Sequence, residues 1–276
     1  MNITEVAYLG PIGTYSHLVA EKRYGRDKRL VPFATITDVC AFVARRPSRR
    51  GVVPIENSSG GAIYETVDIL LANKPRVRIE EELSLNVRLA LLGREGETPR
   101  VLYSHFAPLE HCAPWIKKRL PRVDKRVVNS TAVAAQRAAG EHGAVALANR
   151  RAARICGLQV LHYPVEADVP NLTVFLAIGA RERMLKHAAK TTLAVKLPNV
   201  PGSLCTFLEA FRDEGVNLSR LISRPMRGCP REYAFLVDID GGGRDPNVKR
   251  ALAKARRASV ELRLVGSYPC RRPYRS

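Results

Sequence analysis

No run of about 18 apolar residues, the length that a helix needs to span a membrane, occurs in this chain of 276 residues. The first residues, MNITEVAYLGP, also lack the basic start and the following apolar stretch of a secretory signal. We therefore expect neither a membrane segment nor a signal peptide, and we expect the protein to work in the cytoplasm. The hydrophobic content of 46% suits one large or two modest domains.

Cysteines are few and scattered: Cys40, Cys112, Cys156, Cys205, Cys229 and Cys270. No CxxC pair occurs, although such pairs mark most structural zinc sites. The pattern argues against a metal site and favours a reducing compartment. Two phosphate-binding fingerprints, GxGxxG and GK followed by Ser or Thr, are missing as well, so neither a dinucleotide site nor a P-loop is predicted.

Acidic residues are outnumbered, 26 to 45, and the formal net charge is +19. An excess of this size often indicates nucleic-acid binding when the cations cluster. Here the arginines are dispersed, and the runs RRPSRR and CRRPYRS fall in a predicted loop and in the C-terminal tail. Neither an RNA-binding aromatic signature nor zinc-finger spacing is present, so we expect no specific nucleic-acid binding.

Apolar runs alternate with segments of helical spacing in the first two thirds of the chain. Strands are predicted at ITEVAYLG, LVPFAT, RGVVPI, RVLYS and NLTVFLAIG, and helices at YSHLVAEKRYG, ITDVCAFVARR, AIYETVDILLANK, APLEHCAPWIKKRLP and TAVAAQRAAGE. This alternation predicts a mostly parallel α/β domain over residues 1–183.

The last third has a different pattern, after a polar segment that predicts a linker at residues 184–190. Strands are predicted at TTLAVKLP, NLSRLISRPM, REYAFLVDIDG and VELRLVGSYP, and helices at GSLCTFLEAFRDEGV and NVKRALAKARRAS. The resulting order, β-α-β-β-α-β, is the ferredoxin-like plan. We therefore predict a second domain over residues 191–270.

Three loops of the first domain share one design: GPIGTYS, ENSSGG and NSTAV each follow an apolar strand and precede a helix. Glycine lets a backbone approach a ligand closely, and amides at a helix start bind anions. Taken singly, Ser16, Ser58 and Ser130 are equally well explained as helix N-caps. Three such loops at strand ends together favour a small polyanionic ligand in a cleft.

A fourth polar element is NLTVF, where Asn171 and Thr173 stand at the start of an apolar strand. An edge strand with two hydrogen-bonded polar side chains would explain this pair without any function. The two interpretations remain open on these residues alone.

Five segments, in order, resemble the signature segments of prephenate dehydratases: VAYLGPIGTYS, GVVPIENSSGGAI, VLYSH, NSTAVAA and NLTVF. The later segments NVPGSLCTFLEAF and NLSRLISRP are similar to the motifs of the ACT regulatory domain that follows in that family. The resemblance runs from about Val6 to Pro269. It implies a catalytic domain of two α/β lobes, like a periplasmic binding protein, with chain crossings near Glu82 and Asn171 and with the active site between the lobes.

The family reaction converts prephenate to phenylpyruvate with loss of water and carbon dioxide, in phenylalanine biosynthesis and without a cofactor or metal. By resemblance, Thr173 is the catalytic residue and would hydrogen-bond the departing ring hydroxyl. The implied substrate-binding residues are Thr14, Ser16, Glu56, Asn57, Ser58, Gly60, Ser130, Thr131, Asn171 and Phe175. For Glu56, an alternative is that it only braces its loop.

The resemblance also implies that L-phenylalanine inhibits by binding the ACT domains of a homodimer or homotetramer. The implied regulatory residues are Asn199, Pro201, Gly202, Ser203, Leu204, Asn217, Ser223, Arg224 and Pro225.

Some positions depart from the family motifs. Val174 stands where the family has an arginine that would serve the charge of the substrate, and Arg88 is a candidate replacement. Ile222 stands where the regulatory motif has glutamate, which predicts weaker phenylalanine binding. His105 and Cys112 keep the family spacing, and we interpret them as structural.

Three alternatives to prephenate dehydration stay open. The first is an arogenate dehydratase, whose substrate has an amino group in place of the keto oxygen. The second is a non-aromatising prephenate decarboxylase, which the valine at position 174 suggests but the intact ENSSGG loop disfavours. The third is a non-catalytic amino-acid sensor. The products distinguish all of them.

Overall fold

The computed structural model describes residues 3–25, 27–165, 170–181, 188–226, 228 and 231–276, and the strands within these ranges form three sheets. We number strands and helices in chain order and name the units lobe 1, lobe 2 and the ACT domain. None of the described helices is long and apolar enough to cross a membrane.

Lobe 1 is built around the largest sheet, whose strands run in the order β16-β5-β11-β3-β1-β2, with β4 paired to β3. Its elements are β1 (Glu5–Leu9), α1 (Tyr15–Tyr24), β2 (Arg29–Phe33), α2 (Ile36–Ala44), β3 (Arg49–Asn57), β4 (Gly61–Ala62), α3 (Tyr64–Ala72), β5 (Arg78–Asn86), β11 (Leu172–Gly179) and β16 (Tyr274–Arg275). Side chains alternate across the sheet: Val6 and Tyr8 pack on one face, and Ala7 packs on the other.

Lobe 2 has a five-stranded sheet in the order β10-β6-β9-β7-β8. Its elements are β6 (Leu89–Gly93), β7 (Val101–Ser104), α4 (Phe106–His111), α5 (Ala113–Arg119), β8 (Asp124–Val127), α6 (Thr131–Ala139), β9 (Ala144–Ala148), α7 (Arg150–Cys156) and β10 (Gln159–Val165). The chain passes directly from β5 of lobe 1 into β6 of lobe 2. Val87, in this crossing, packs against the cores of both lobes.

The ACT domain confirms the predicted ferredoxin-like order. Its elements are β12 (Lys190–Lys196), α8 (Ser203–Arg212), β13 (Leu218–Pro225), β14 (Tyr233–Asp240), α9 (Pro246–Arg257) and β15 (Glu261–Tyr268). The antiparallel sheet has the order β13-β14-β12-β15, so β13 is an edge strand. Strand β12 begins inside the segment predicted as a linker, of which residues 184–187 lie outside the described residues.

The prediction of a mostly parallel first domain was wrong, because both lobes have mixed sheets. Strand β11 returns from lobe 2 and inserts antiparallel between β3 and β5, and β6 is antiparallel to β9 and β10. Two neighbouring strands can run parallel only if a crossover connection, usually a helix, brings the chain back to the starting edge of the sheet. The chain passes from β5 to β6 without such a helix. The crossing lies at residues 87–88, beyond the position expected near Glu82.

The single helix predicted over APLEHCAPWIKKRLP is two short helices that meet at Cys112. Pro114 lies in the first turn of α5, where its missing amide is tolerated, but it could not continue a helix from α4. In contrast, the prediction that α1 ends at a glycine is confirmed. Gly25 directly follows the helix and has a φ of 84°.

The C-terminal residues were predicted as a basic tail, but they complete the lobe 1 sheet. Tyr274 pairs with Leu85 of β5 in a short parallel strand, and it packs against the lobe 1 core. Arg271 forms an ion pair with Glu81 at 3.1 Å. The chain therefore returns from the ACT domain to lobe 1.

The ACT sheet packs its helices on one face and lobe 1 on the other. Leu193 and Val237 lie in the core with α8 and α9, whereas Ala194, Leu236 and Val265 belong to the core of lobe 1. The contact is close at β15 and β5. A Cβ atom added to Gly266 would lie 2.5 Å from the Ile79 carbonyl oxygen.

We therefore predict that Gly266→Ala lowers the free energy of unfolding by about 1–3 kcal/mol, because a backbone carbonyl cannot move aside as a side chain can. Gly243→Ala is the matched control, since its added Cβ would meet nothing closer than 3.6 Å. Urea unfolding of both variants measures the difference. Equal stability of the two would show that the sheets are not held at this distance.

Candidate active site

The polar loops of lobe 1 lie at one edge of its sheet. Strands β1 and β3 are parallel, so the loops that follow Leu9 and Asn57 leave from the same carboxyl edge. Strand β11 is antiparallel to both neighbours and starts at that edge with Leu172. The sheet therefore brings three of the four predicted polar segments together.

The corresponding edge of lobe 2 faces these loops. Strands β7, β8 and β9 are parallel, and their carboxyl ends lead into α4, α6 and α7. Asn149, which caps α7, donates a hydrogen bond to the Gly13 carbonyl of lobe 1. Ser59 Oγ lies 2.9 Å from His111 Nδ1 of α4. The two edges thus form the walls of a cleft.

Asn57 is the centre of the hydrogen bonds in this cleft. Its Oδ1 accepts from the backbone amides of Ser59 and Gly60, both at 2.9 Å. A backbone N–H can only donate, so this contact fixes which end of the amide is oxygen. The Nδ2 group then donates to Asn171 Oδ1 at 2.9 Å and to Thr173 Oγ1 at 2.8 Å.

This arrangement sets the role of the Thr173 hydroxyl. Its oxygen accepts from Asn57, so its own hydrogen is directed elsewhere. Thr173 is half-buried at the start of β11, at the cleft edge of the sheet. The hydroxyl hydrogen of Thr173 is therefore available to a partner other than Asn57.

A β-bulge in β3 places Asn57 on the same face as Thr173. Val174 is opposite Glu56 and Phe175 is opposite Pro54, so Ile55 has no partner on β11. The bulge shifts the side-chain alternation by one residue. Asn57 therefore faces Thr173, while its neighbour Glu56 faces the ACT domain.

Comparison with known proteins shows the family of this chain. The family model for prephenate dehydratase matches residues 6–183, and the ACT domain model matches residues 191–257. The chain belongs to the prephenate dehydratase family. It is 36% identical over 266 residues to a bifunctional chorismate mutase/prephenate dehydratase of Stutzerimonas stutzeri, covering 96% of this chain and 73% of that protein.

Two solved structures share the whole fold. A prephenate dehydratase from Arthrobacter aurescens in complex with L-Phe has a TM-score of 0.87 at 30% identity, covering 96% of this chain and 90% of that one. GqqA, described as a novel type of quorum quenching acylase, has a TM-score of 0.85 at 28% identity, covering 97% and 98% of the two chains.

The other predicted substrate-binding residues lie at helix starts or tie a loop to β11. Thr14, not Ser16, caps α1, accepting from the His17 amide at 3.2 Å. Ser130 caps α6, and Thr131 is the first residue of that helix. Ser58 donates to the Pro170 carbonyl at 3.1 Å and accepts from the Leu172 amide at 2.9 Å, so it ties its loop to the start of β11 rather than capping a helix.

Two of the implied substrate contacts do not fit their positions. Phe175 is only 1% exposed and lies in the lobe 1 core among Tyr8 and Leu83, so its role is packing beneath Thr173. Glu56 faces away from Thr173 and its carboxylate binds Arg220 of the ACT domain at 2.8 Å. The alternative interpretation of Glu56, as a bracing residue, agrees with this contact.

His105 and Cys112 have structural positions. The His105 ring accepts from the Ala107 amide at 3.4 Å and caps α4, and burial lowers the pKa of this histidine. Cys112 is fully buried in lobe 2, where burial raises the pKa of its thiol to about 11. Among the residues that the structure describes, no three His, Cys, Asp or Glu side chains are grouped to hold a metal ion.

Three residues at the lobe contact were missed by the sequence reasoning. Asn149 follows the apolar run GAVALA and starts a helix, which is the same signal as in the three loops that were chosen. Ser59 was within the chosen ENSSGG loop. The histidine at position 111 gave no signal, because it lies inside a predicted amphipathic helix.

The regulatory residues separate into two groups. Lys196 of β12 aligns with Ala234, which aligns with Arg224, so residues 199–204 and 223–225 lie at one end of the ACT sheet. Asn217 lies at the opposite end and donates to Asp240 at 2.8 Å. The guanidinium of Arg224 is bound to Asp68 of α3 at 2.6 and 2.8 Å, so it faces lobe 1.

Val174, where the family motif has arginine, points away from the cleft. Its side chain packs with Leu176 and Ile178 on the face of β11 that the ACT domain covers. Arg88, the candidate replacement, is exposed in the lobe crossing beside Tyr15, whose hydroxyl lies 3.5 Å from the Arg88 carbonyl. A charge at position 174 would thus lie beside Glu56, not beside Thr173.

We predict that Val174→Arg does not lower the Michaelis constant for prephenate. It should lower the free energy of unfolding by about 1–3 kcal/mol, because the longer side chain disturbs the packing on the lobe 1 core and its charge competes with Arg220 for Glu56. Val174→Leu is the control, with unchanged polarity. Steady-state kinetics and urea unfolding test both variants, and a lower Michaelis constant for the arginine variant would contradict the placement.

Proposed function

We propose that this chain converts prephenate to phenylpyruvate. The observation that carries the proposal is the hydrogen bond from Asn57 to Thr173, which leaves the threonine hydroxyl free to donate into the cleft. Membership of the prephenate dehydratase family supports the same reaction. A relative from Amycolatopsis methanolica, named simply prephenate dehydratase, is 31% identical over 279 residues.

The reaction needs little acid–base chemistry from the protein. The bond from the ring to its carboxylate breaks, and the electron pair enters the ring as carbon dioxide leaves. The bond from the ring to the hydroxyl breaks at the opposite carbon, and the hydroxyl leaves as water after it takes up one proton from the solvent. The ring becomes aromatic, which supplies the driving force. The protein must bind a dianion and stabilise the departing hydroxyl.

Thr173 is the donor to the departing hydroxyl in this proposal. A threonine is a very weak acid, so a positioned hydrogen bond is favoured over full proton transfer. The carboxylates of the substrate are bound by the start of α6, where Ser130 and Thr131 and the free amides of a nine-residue helix offer donors. The net charge of +19 attracts a dianion to the cleft.

The site fits the acylase activity described for GqqA less well than it fits dehydration. The contact between Ser59 and His111 is the kind of pair that activates a nucleophile. An acyl-transfer site also needs free donors for the oxyanion. The amides of Ser59 and Gly60 are both bound to Asn57, so they are not available.

We predict that Thr173→Val lowers kcat by about 10²- to 10³-fold, the range for one lost hydrogen-bond donor that stabilises developing charge. Valine keeps the branched shape of threonine, so the β11 strand should stay intact. Thr173→Ser should retain more activity, because it keeps the hydroxyl. Purified protein is incubated with prephenate, and phenylpyruvate is followed by its ultraviolet absorbance in alkali.

The same assay is repeated with arogenate and with full product analysis. Phenylalanine from arogenate would indicate the alternative substrate, and a non-aromatic product would indicate a decarboxylase. No product from either substrate would favour the non-catalytic sensor. Near-normal turnover of the valine variant would remove Thr173 from the mechanism.

We further propose that L-phenylalanine binds the ACT domain and inhibits the reaction. The similar structure from Arthrobacter aurescens was solved with L-Phe. In this chain, Gly202 has a φ of 83° directly before α8, which allows close approach of a ligand to the amides that open a ten-residue helix. Ile222 in place of the family glutamate removes one charge that would favour the ammonium group of the effector.

The effector site is completed by a second copy of the chain in this proposal. The outer edge of β13 has no partner strand among the described residues of one chain. Antiparallel pairing of two such edges about a two-fold axis at Leu221 aligns Leu218 of one chain with Arg224 of the other. This pairing carries Asn217 to the end of the sheet where the second chain has residues 199–204, which unites the two groups of regulatory residues.

We predict that Leu221→Asp weakens this dimer, since Leu221 is 43% exposed at the centre of the β13 edge and the pairing would bring two added charges together. Val260→Asp is the control, because Val260 is 69% exposed and lies next to the opposite edge strand. Light scattering after gel filtration should show a lower mass for the first variant only, with weaker inhibition by phenylalanine. A monomeric unaltered protein would contradict the pairing.

A further inference from the structure

Arg220, on β13 of the ACT domain, lies at the base of the active-site loop. Its Nε and Nη2 atoms are each 2.8 Å from Glu56 Oε2. Its Nη1 atom binds Asp238 of β14, and Glu82 of β5 lies 3.9 Å away. The Arg220 side chain is 10% exposed and the Glu56 side chain 42%, so the cation is largely shielded from water while the carboxylate is partly solvated.

The ACT side of this cluster is rigid. The Asp238 side chain is 1% exposed and also accepts from Thr192 Oγ1 at 2.6 Å. Lys190 binds Glu82 at 2.9 Å and adds a second cation. A guanidinium has a planar set of donors, so a contact on one edge fixes the direction of the other edge. Asp238 therefore aims Arg220 at Glu56.

On the lobe 1 side, the β3 bulge links the position of Glu56 to that of Asn57. The carbonyl groups of the bulge are bound by α3 and its N-terminal flank, since Pro54 accepts from Thr66 Oγ1 at 2.5 Å and Ile55 accepts from the Ile63 amide at 2.8 Å. Glu56 and Asn57 follow directly and face opposite sides of the sheet. A rotation of the backbone at Glu56 would thus move the Asn57 amide that holds Thr173.

Val174 leaves Glu56 available for this contact. It is the residue opposite Glu56 on β11. An arginine at this position, as in the family motif, would compete with Arg220 for the same carboxylate. The chain has an apolar residue there, so the ACT domain supplies the cation.

We propose that Arg220 is a positioning residue for catalysis, which holds Glu56 and thereby sets the orientation of Asn57 and Thr173. This proposal deepens the proposed dehydratase function and rests on it. It gives the ACT domain a part in assembling the active site, in addition to binding an effector.

The main test is Glu56→Gln, which removes the charge but keeps the size and leaves Asp238 its Arg220 partner. We expect kcat to fall about 10- to 100-fold with little change in KM, because small errors of placement act on the reacting geometry. Arg263→Gln is the matched control. Arg263 also joins the ACT domain to lobe 1, but at the end of α3, where its Nη2 lies 2.6 Å from the Leu70 carbonyl.

A second pair of variants tests that Glu56 and Arg220 act together. Arg220→Lys keeps a cation beside Asp238, but one ammonium cannot reproduce the forked contacts. We expect it to lower kcat to a similar degree. The double variant should then be no slower than the slower single variant, because one interaction is lost in all three. Independent, multiplying losses would contradict the pair.

A measurement without turnover separates this proposal from the proposed function. The amides of Ser59 and Gly60 donate to Asn57, so their hydrogen exchange reports its position. We expect faster exchange in Glu56→Gln and unchanged exchange in Arg263→Gln. Absence of dehydratase activity in the unaltered protein would contradict the proposed function only. Unchanged exchange in Glu56→Gln would overturn the positioning role.

Discussion

The hydrogen bond between Asn57 and Thr173 depends on one topological feature, the insertion of β11 between β3 and β5. The chain leaves lobe 1 through β5, builds lobe 2, and returns through β11 antiparallel to both neighbours. This return brings together two residues that are 116 positions apart in the sequence. It also places the start of β11 at the edge where β1 and β3 end, so that one sheet edge collects the polar loops.

Much of the architecture could be predicted from local patterns. The glycine that ends α1 and the β-α-β-β-α-β order of the ACT domain are encoded within short windows, by turn residues and by the period of apolar positions. The polar loops were found for the same reason, because a polar segment between a strand and a helix is a local signal. Thr173 and Asn57 lie in segments that this signal selects, although the hydrogen bond between them is not a local property.

Other features depend on contacts that a linear pattern does not contain. The bulge at Ile55 reverses the faces of Glu56 and Asn57. Pro54 beside it is compatible with a bulge or an edge strand, and the sequence alone does not distinguish these two. The two-residue strand at Tyr274 is too short for any periodicity, and it forms only because β5 has an open edge there. Arg220 is one of many arginines in a basic chain. Its partners come from β3, β5 and β14, so only the folded arrangement distinguishes it.

The ACT domain is therefore not a separate module that can be removed without consequence. Its last strand leads into β16, which completes the lobe 1 sheet beside Leu85, and Leu85 is itself paired with Thr173. Its sheet covers the face of β11 opposite the cleft, and its edge strand β13 carries both Arg220 and the segment proposed to bind the effector. A change at the β13 edge can therefore affect Asn57 through two steps. Arg220 contacts Glu56 directly, and Glu56 is joined to Asn57 by a peptide bond.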